Sequence, residues 1–227
     1  MLDTALTFGD GFDGIRWTLA ALSFIASLAY LAIVNTPASA LRTACKTLSV
    51  AALAPLPLLG LGNANAPALA LICLAAALAL GSLGDYFLAL KGEAKNFQRG
   101  LIAFLVGHFF YLAVMAPRMG APDAAQYAGM VALAILALGT LAALWPKLGS
   151  LRLPVSAYMG VISLMALAAL ALPVPLAGLG ALLFVFSDVV IAIDKFRAPV
   201  PFRGPIIWVT YYAGQVLIAA SLLALLR

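Results

Sequence analysis

Residues 175–193 read PLAGLGALLFVFSDVVIAI, an apolar run broken by a single charge at Asp188. About 20 such residues, rising ~1.5 Å each, cross the ~30 Å hydrocarbon core of a bilayer. A carboxylate there costs roughly 2.5–3.5 kcal/mol on insertion scales, so it marks a polar cavity between helices and not a surface facing lipid. A second stretch repeats the form. Residues 80–90, LGSLGDYFLAL, place Asp85 behind a small residue within another apolar run.

The rest of the chain fits the same solvent. Of 227 residues, 65% are hydrophobic and only 9% charged, with a mean hydropathy of +1.12. A soluble domain carries about 25% charged residues. The expected fold is therefore an all-α, polytopic integral membrane protein forming one transmembrane helical domain over 1–227. About eight transmembrane helices are expected, near Trp17–Val34, Ala44–Leu61, Ala66–Leu90, Phe97–Ala116, Ala124–Trp145, Pro154–Leu172, Pro175–Ile193 and Pro205–Leu226. Prolines 37, 67, 117, 154, 175 and 205 fall near helix ends, where a missing N–H is tolerated. Pro55 and Pro57 fall inside the second span and are expected to kink it.

Charge gives the orientation. Ten of the 13 Lys and Arg residues lie in or beside alternate connections: Arg42, Lys46, Lys91, Lys95, Arg99, Lys147, Arg152, Lys195, Arg197 and Arg203. Arg16, Arg118 and Arg227 share the other side with Asp3, Asp10, Asp13 and Asp123. The positive-inside rule then puts the basic loops in the cytoplasm and both termini outside. The net charge of +5 reflects this bias. No clustered basic face suits nucleic acid. The acidic N-terminus lacks the basic region of a cleaved signal peptide, so the first helix is expected to be retained. Cys45 and Cys73 are read as free thiols in apolar segments, and one histidine cannot assemble the usual zinc or di-iron site.

The remaining polar residues gather at one depth. By helical rise, Asp85, Asp188 and His108 lie roughly 9–13 Å from the cytoplasmic ends of their helices. Tyr158, Tyr211 and Tyr212 fall at similar depth, with Gln215 one turn further and Lys46 at the start of the second helix. Many such tyrosines serve only packing or the interfacial belt, lysines near helix ends snorkel, and Asp194 beside Lys195 reads as a solvated helix end. The two aspartates lack so simple an explanation. Asp85 and His108 are 23 positions apart, as are Asp188 and Tyr211. These equal offsets suggest two parallel four-helix halves.

LGSLGDYFLAL, FQRGLIAFLVGHFFYLAVM, LPVSAYMGVI, GALLFVFSDVVIAIDKF and VTYYAGQVLIAASLL, in that order, resemble the YhhN family of eight-helix membrane proteins. The resemblance runs from about Arg42 to the C-terminus. It implies a lysoplasmalogenase, which hydrolyses the vinyl ether bond of alkenyl lysophospholipids to a fatty aldehyde and a glycerophospho-alcohol. For that reaction Asp85 and Asp188 are read as the catalytic acid and stabiliser or base, with neither role assigned. His108, Tyr111, Tyr158, Tyr211, Tyr212 and Gln215 would orient the carboxyls or hold substrate, and Lys46 and Arg99 would meet the lipid phosphate. Its partners would be the lysophospholipid and the lipids of a bacterial inner membrane, and no metal or organic cofactor is expected.

Two carboxyls in unequal environments suit an oxocarbenium-like transition state, as they do in glycosidases. A proton-coupled transporter using the same aspartates is the alternative. An intramembrane aspartyl protease is disfavoured: Ser82 replaces the first glycine of its Gly-x-Gly-Asp motif, and no Tyr-Asp partner motif precedes it. A serine hydrolase would need a Gly-x-Ser-x-Gly elbow, which the chain lacks.

Overall fold

The computed structural model describes residues 2–63, 66–90 and 94–227; Lys91, counted above among the basic connections, lies outside them. The helices are α1 (Leu2–Leu6), α2 (Asp13–Ile33), α3 (Ala40–Ala51), α4 (Ala68–Ala89), α5 (Ala94–Met115), α6 (Ala124–Leu144), α7 (Arg152–Leu170), α8 (Pro175–Phe196) and α9 (Arg203–Leu225). Among the described residues there is no strand. Seven of these helices, α2 and α4 to α9, are long and apolar enough to cross a membrane. The chain is an integral membrane protein of all-α class.

The second expected span departs from the sequence reading. It is a broken element and not a kinked helix across 44–61. The helix α3 stops at Ala51, turns follow, and a short 3-10 segment covers Pro57–Gly60. Pro55 has no N–H to give the carbonyl of Ala51, and Pro57 none for Leu53, so two successive helical bonds are lost. Two prolines two apart end the helix where one alone would bend it.

Two compact units divide the chain, Met1–Val114 with Ala219–Arg227, and Met115–Ile218. In the first, small residues let helices approach closely. A Cβ added at Gly84 of α4 would lie 2.5 Å from the Phe104 ring on α5, and one at Gly107 would lie 3.2 Å from the Ala77 carbonyl. Without a hydrophobic force between helices in lipid, such close packing is what holds them. Hydroxyls add interhelical bonds. Ser82 on α4 donates to the Thr47 carbonyl on α3 at 2.9 Å, and Ser23 on α2 donates to the Ser49 carbonyl.

The polar head of this unit is organised by one arginine. Arg16 is almost fully buried and bonds Asp10 at 2.5 Å, Asp13 at 3.0 Å and the Leu59 carbonyl at 3.3 Å. Its hydrogen bond holds the Asp10 carboxyl down to about 2. A depressed carboxyl contributes stability that is complete above its unfolded value of about 3.8 and lost as pH falls through about 2. The environment of Trp17, whose indole N–H bonds Thr7, is therefore expected to hold on acidification to about pH 3. Arg16→Met should move that transition towards pH 4, as read by tryptophan fluorescence in detergent.

In the second unit α6 begins with a capping box. Asp123 accepts from the Gln126 N–H at 2.8 Å, and Gln126 Oε1 accepts from the Asp123 N–H at 2.7 Å. The same Gln126 amide donates to the Leu172 carbonyl, tying α6 to the tight α7–α8 turn. Tyr127, Val131, Ile135 and Leu138 form an exposed apolar stripe along α6, a fitting surface for lipid and a costly one in water. At the α8–α9 crossing two glycines meet. A Cβ on Gly214 would lie 2.7 Å from the Gly180 carbonyl, and one on Gly180 would lie 2.8 Å from the Gly214 carbonyl.

Asp194 is not the solvated helix end that its position suggested. It pairs with Arg203 and accepts from the Val200 N–H at 3.1 Å, closing the α8–α9 connection.

Candidate functional site

Asp85 lies near the C-terminal end of α4, 1% exposed. The ammonium of Lys46 on α3 sits 3.2 Å from its Oδ1, with the lysine side chain itself 13% exposed. Lys46 stands mid-helix, six residues after Ala40, and not at the beginning of a helix as the sequence reading placed it. Lys46 faces α4 from there, and the Ser82–Thr47 bond fixes that approach one residue along. An ammonium and a carboxylate buried together form a nearly neutral pair, which lowers the cost of holding either in an apolar bundle. Sequence alone named both residues and missed that they touch.

The other first-unit candidates lie on α5. His108 is 2% exposed, and its Nδ1 lies 2.5 Å from the Phe104 carbonyl. A carbonyl only accepts, so Nδ1 carries the hydrogen, and in the neutral ring Nε2 is the acceptor. Tyr111, one turn on, is buried. Arg99 is exposed near the start of α5, bonds Asn96 at 3.4 Å and lies over the Phe87 ring. Its charge remains accessible at a helix end, where an anionic group can reach it.

In the second unit, the Tyr158 hydroxyl on α7 lies 2.5 Å from Asp188 Oδ2 on α8. Such a short O–H···O contact is characteristic of a hydroxyl donating to a carboxylate. Tyr158 is buried, while Asp188 is only partly so. On α9 the Gln215 amide donates to the Tyr211 hydroxyl at 3.2 Å. The Tyr211 ring meets Phe184 edge-on at 5.1 Å, and Tyr212 stacks on Trp208 at 5.8 Å. Trp208, buried and packed against both tyrosines, was not singled out by sequence. Its signal was only its position one turn before them.

The two aspartates thus have different neighbours: a cation beside Asp85 and a phenol hydroxyl beside Asp188. A family model described as the YhhN family matches residues 41–222, most of the chain. The chain belongs to the YhhN family. Every candidate residue, from Lys46 to Gln215, falls within the stretch shared with that family. YhhN similarity extends to curated proteins. One is a lysoplasmalogenase of Mycobacterium bovis, 32% identical over 151 residues that cover 64% of this chain and 58% of the relative. Another is lysoplasmalogenase TMEM86A of Bos taurus, 36% identical over 155 residues, covering 63% of this chain and 62% of the relative. Lysoplasmalogenase TMEM86B of Homo sapiens is 36% identical over 152 residues, covering 65% and 62%. The matched stretches thus span about three-fifths of these relatives' length. No solved structure matches the chain.

Proposed function

We propose that this YhhN protein is a membrane lysoplasmalogenase, an ether hydrolase that converts an alkenyl lysophospholipid and water into a fatty aldehyde and a glycerophospho-alcohol. The observation that carries the reading is its similarity, at 32–36% identity, to proteins named lysoplasmalogenase. The polar groups buried in apolar helices suit the chemistry. Vinyl ether hydrolysis begins when a general acid protonates the β-carbon; the alkene's π pair forms the new C–H bond, and an oxygen lone pair makes the α-carbon an oxocarbenium. Water adds to that carbon and loses a proton to a base, giving a hemiacetal. Collapse returns a proton to the glycerol oxygen, takes one from the hemiacetal hydroxyl and releases the aldehyde. One carboxyl acid and one carboxylate base suffice for both halves, and each ends the cycle as it began.

Asp85 and Asp188 carry these roles in the proposal. His108, Tyr111, Tyr158, Tyr211, Tyr212 and Gln215 orient them or hold the glycerol oxygens. With Lys46 engaged by Asp85, Arg99 is the better placed cation for the lipid phosphate. The distribution of Lys and Arg favours cytoplasmic basic loops and external termini, and the Ala- and Leu-rich composition suits a bacterial inner membrane. Labelling of single cysteines in intact cells should accordingly reach a cysteine at Gly149 only after permeabilisation, and one at Met119 before it.

The test of the activity is aldehyde release from choline and ethanolamine lysoplasmalogens by purified protein in detergent. Stoichiometric aldehyde and glycerophospho-alcohol are expected, with no dependence on a proton gradient. A well-folded protein that releases no aldehyde, yet takes up a lipid-like substrate into proteoliposomes along a proton gradient, would overturn the hydrolase in favour of a transporter.

A further inference from the structure

Within the first unit one ion pair bears on a question that the aspartate chemistry leaves open, namely which carboxyl supplies the proton. Lys46 Nζ lies 3.2 Å from Asp85 Oδ1, and the two side chains are 13% and 2% exposed. Little water reaches either, and each offsets the other's charge in an apolar bundle. The lysine is held in register from its own helix: the next residue's carbonyl accepts from Ser82 at 2.9 Å, three positions before Asp85. A Cβ on Gly84, the neighbour of Asp85, would meet the Phe104 ring, so α4 is also fixed from its other side. The geometry maintains the contact from two directions.

We propose that Lys46 is a positioning residue that keeps Asp85 an anion, so that in the reaction above Asp85 is the carboxylate that stabilises the oxocarbenium and takes the proton from water, and not the acid that protonates the β-carbon. The division rests on the lysoplasmalogenase reading above. It goes beyond that reading by giving Asp85 one role. An anion with an ammonium partner has no proton to donate to carbon. The cycle balances: the acid loses its proton to the β-carbon, Asp85 gains one from water, and hemiacetal collapse returns each to its starting state. Lys46 gives up no proton in any step.

The experiment has two independent readouts. Infrared spectroscopy of the substrate-free protein reports the C=O stretch of a protonated carboxyl. Lys46→Met should gain such a band, Lys46→Arg should not, and the double variant Lys46→Met/Asp85→Asn should lose it. Turnover of lysoplasmalogen should fall about 100-fold in Lys46→Met with KM little changed, and Lys46→Arg should recover to within about tenfold of wild type. A Lys46→Met protein without the Asp85-dependent band overturns the charge assignment. The band present with turnover intact overturns the division of roles. No aldehyde from wild type overturns the hydrolase reading, and the infrared result on unliganded protein then judges the Lys46–Asp85 pair separately.

Discussion

Asp188→Asn is expected to lower the rate of aldehyde release by about 10³-fold, the scale of losing a general acid or base, while leaving the fold intact. Its nearest neighbour explains the intact fold. The Tyr158 hydroxyl 2.5 Å from Asp188 Oδ2 can donate equally to an amide oxygen. Asp85→Asn is expected to lose comparable activity for a different reason and with a different side effect. Neutralising Asp85 strands the Lys46 ammonium, 13% exposed, without its carboxylate, and breaking a buried pair from one side costs about 3 kcal/mol. Lys46→Met/Asp85→Asn should regain that stability and none of the turnover. The check is kcat beside thermal unfolding in detergent for all three variants. Full activity in both single variants would remove the aspartates from the mechanism.

The second large effect concerns packing. Gly214→Ala is expected to cost about 3 kcal/mol, because a side chain forced into a filled interior must displace its neighbours. Here the neighbours are main chain. The new Cβ would lie 2.7 Å from the Gly180 carbonyl and 3.0 Å from the Phe184 N–H nitrogen, both part of α8. Neither can rotate away. Gly84→Ala meets the Phe104 ring at 2.5 Å instead, and a ring on a side chain can turn, so a smaller loss is expected there. Gly160→Ala, on α7 with nothing within 4 Å of the added carbon, should be neutral or stabilising by up to about 1 kcal/mol through helix propensity. Unfolding midpoints in mixed detergent rank the three. Equal behaviour of Gly214→Ala and Gly160→Ala would show that the α8–α9 crossing tolerates separation. Gly214 lies between Tyr211 and Gln215 on α9, so a shift there should also reduce turnover.

The candidate site's residues were legible in kind and not in arrangement. Asp85 and Asp188 stand out because a charge in an apolar run is conspicuous in a local window. His108, Tyr158 and Gln215 follow from depth, which needs only a helical rise and the side on which a basic loop falls. Lys46 was named at the right position and given the wrong neighbourhood, since its helix begins four residues earlier than hydropathy placed it. Trp208 passed unnoticed because an aromatic in an apolar helix is unremarkable until its stacking on Tyr212 is seen. Asp194 read as solvated because Arg203, nine positions on, comes back to it only through the turn between two helices.

Hydrophobic runs, their flanking charges and the two interrupting carboxylates determined the membrane-spanning, all-α class, since transfer of each segment from water to lipid depends on its own residues. The same sequence also contained the two prolines that end α3, though their combined effect emerges only when both lost bonds are placed on one helix. The tertiary structure alone decided that Lys46 meets Asp85, that Tyr158 meets Asp188 and that Gly180 and Gly214 cross. Each of those contacts joins residues 30 or more positions apart. They depend on how each helix is rotated about its axis and where it crosses its neighbour. In lipid, that rotation is set by close packing and polar pairing between helices, information that no single segment contains.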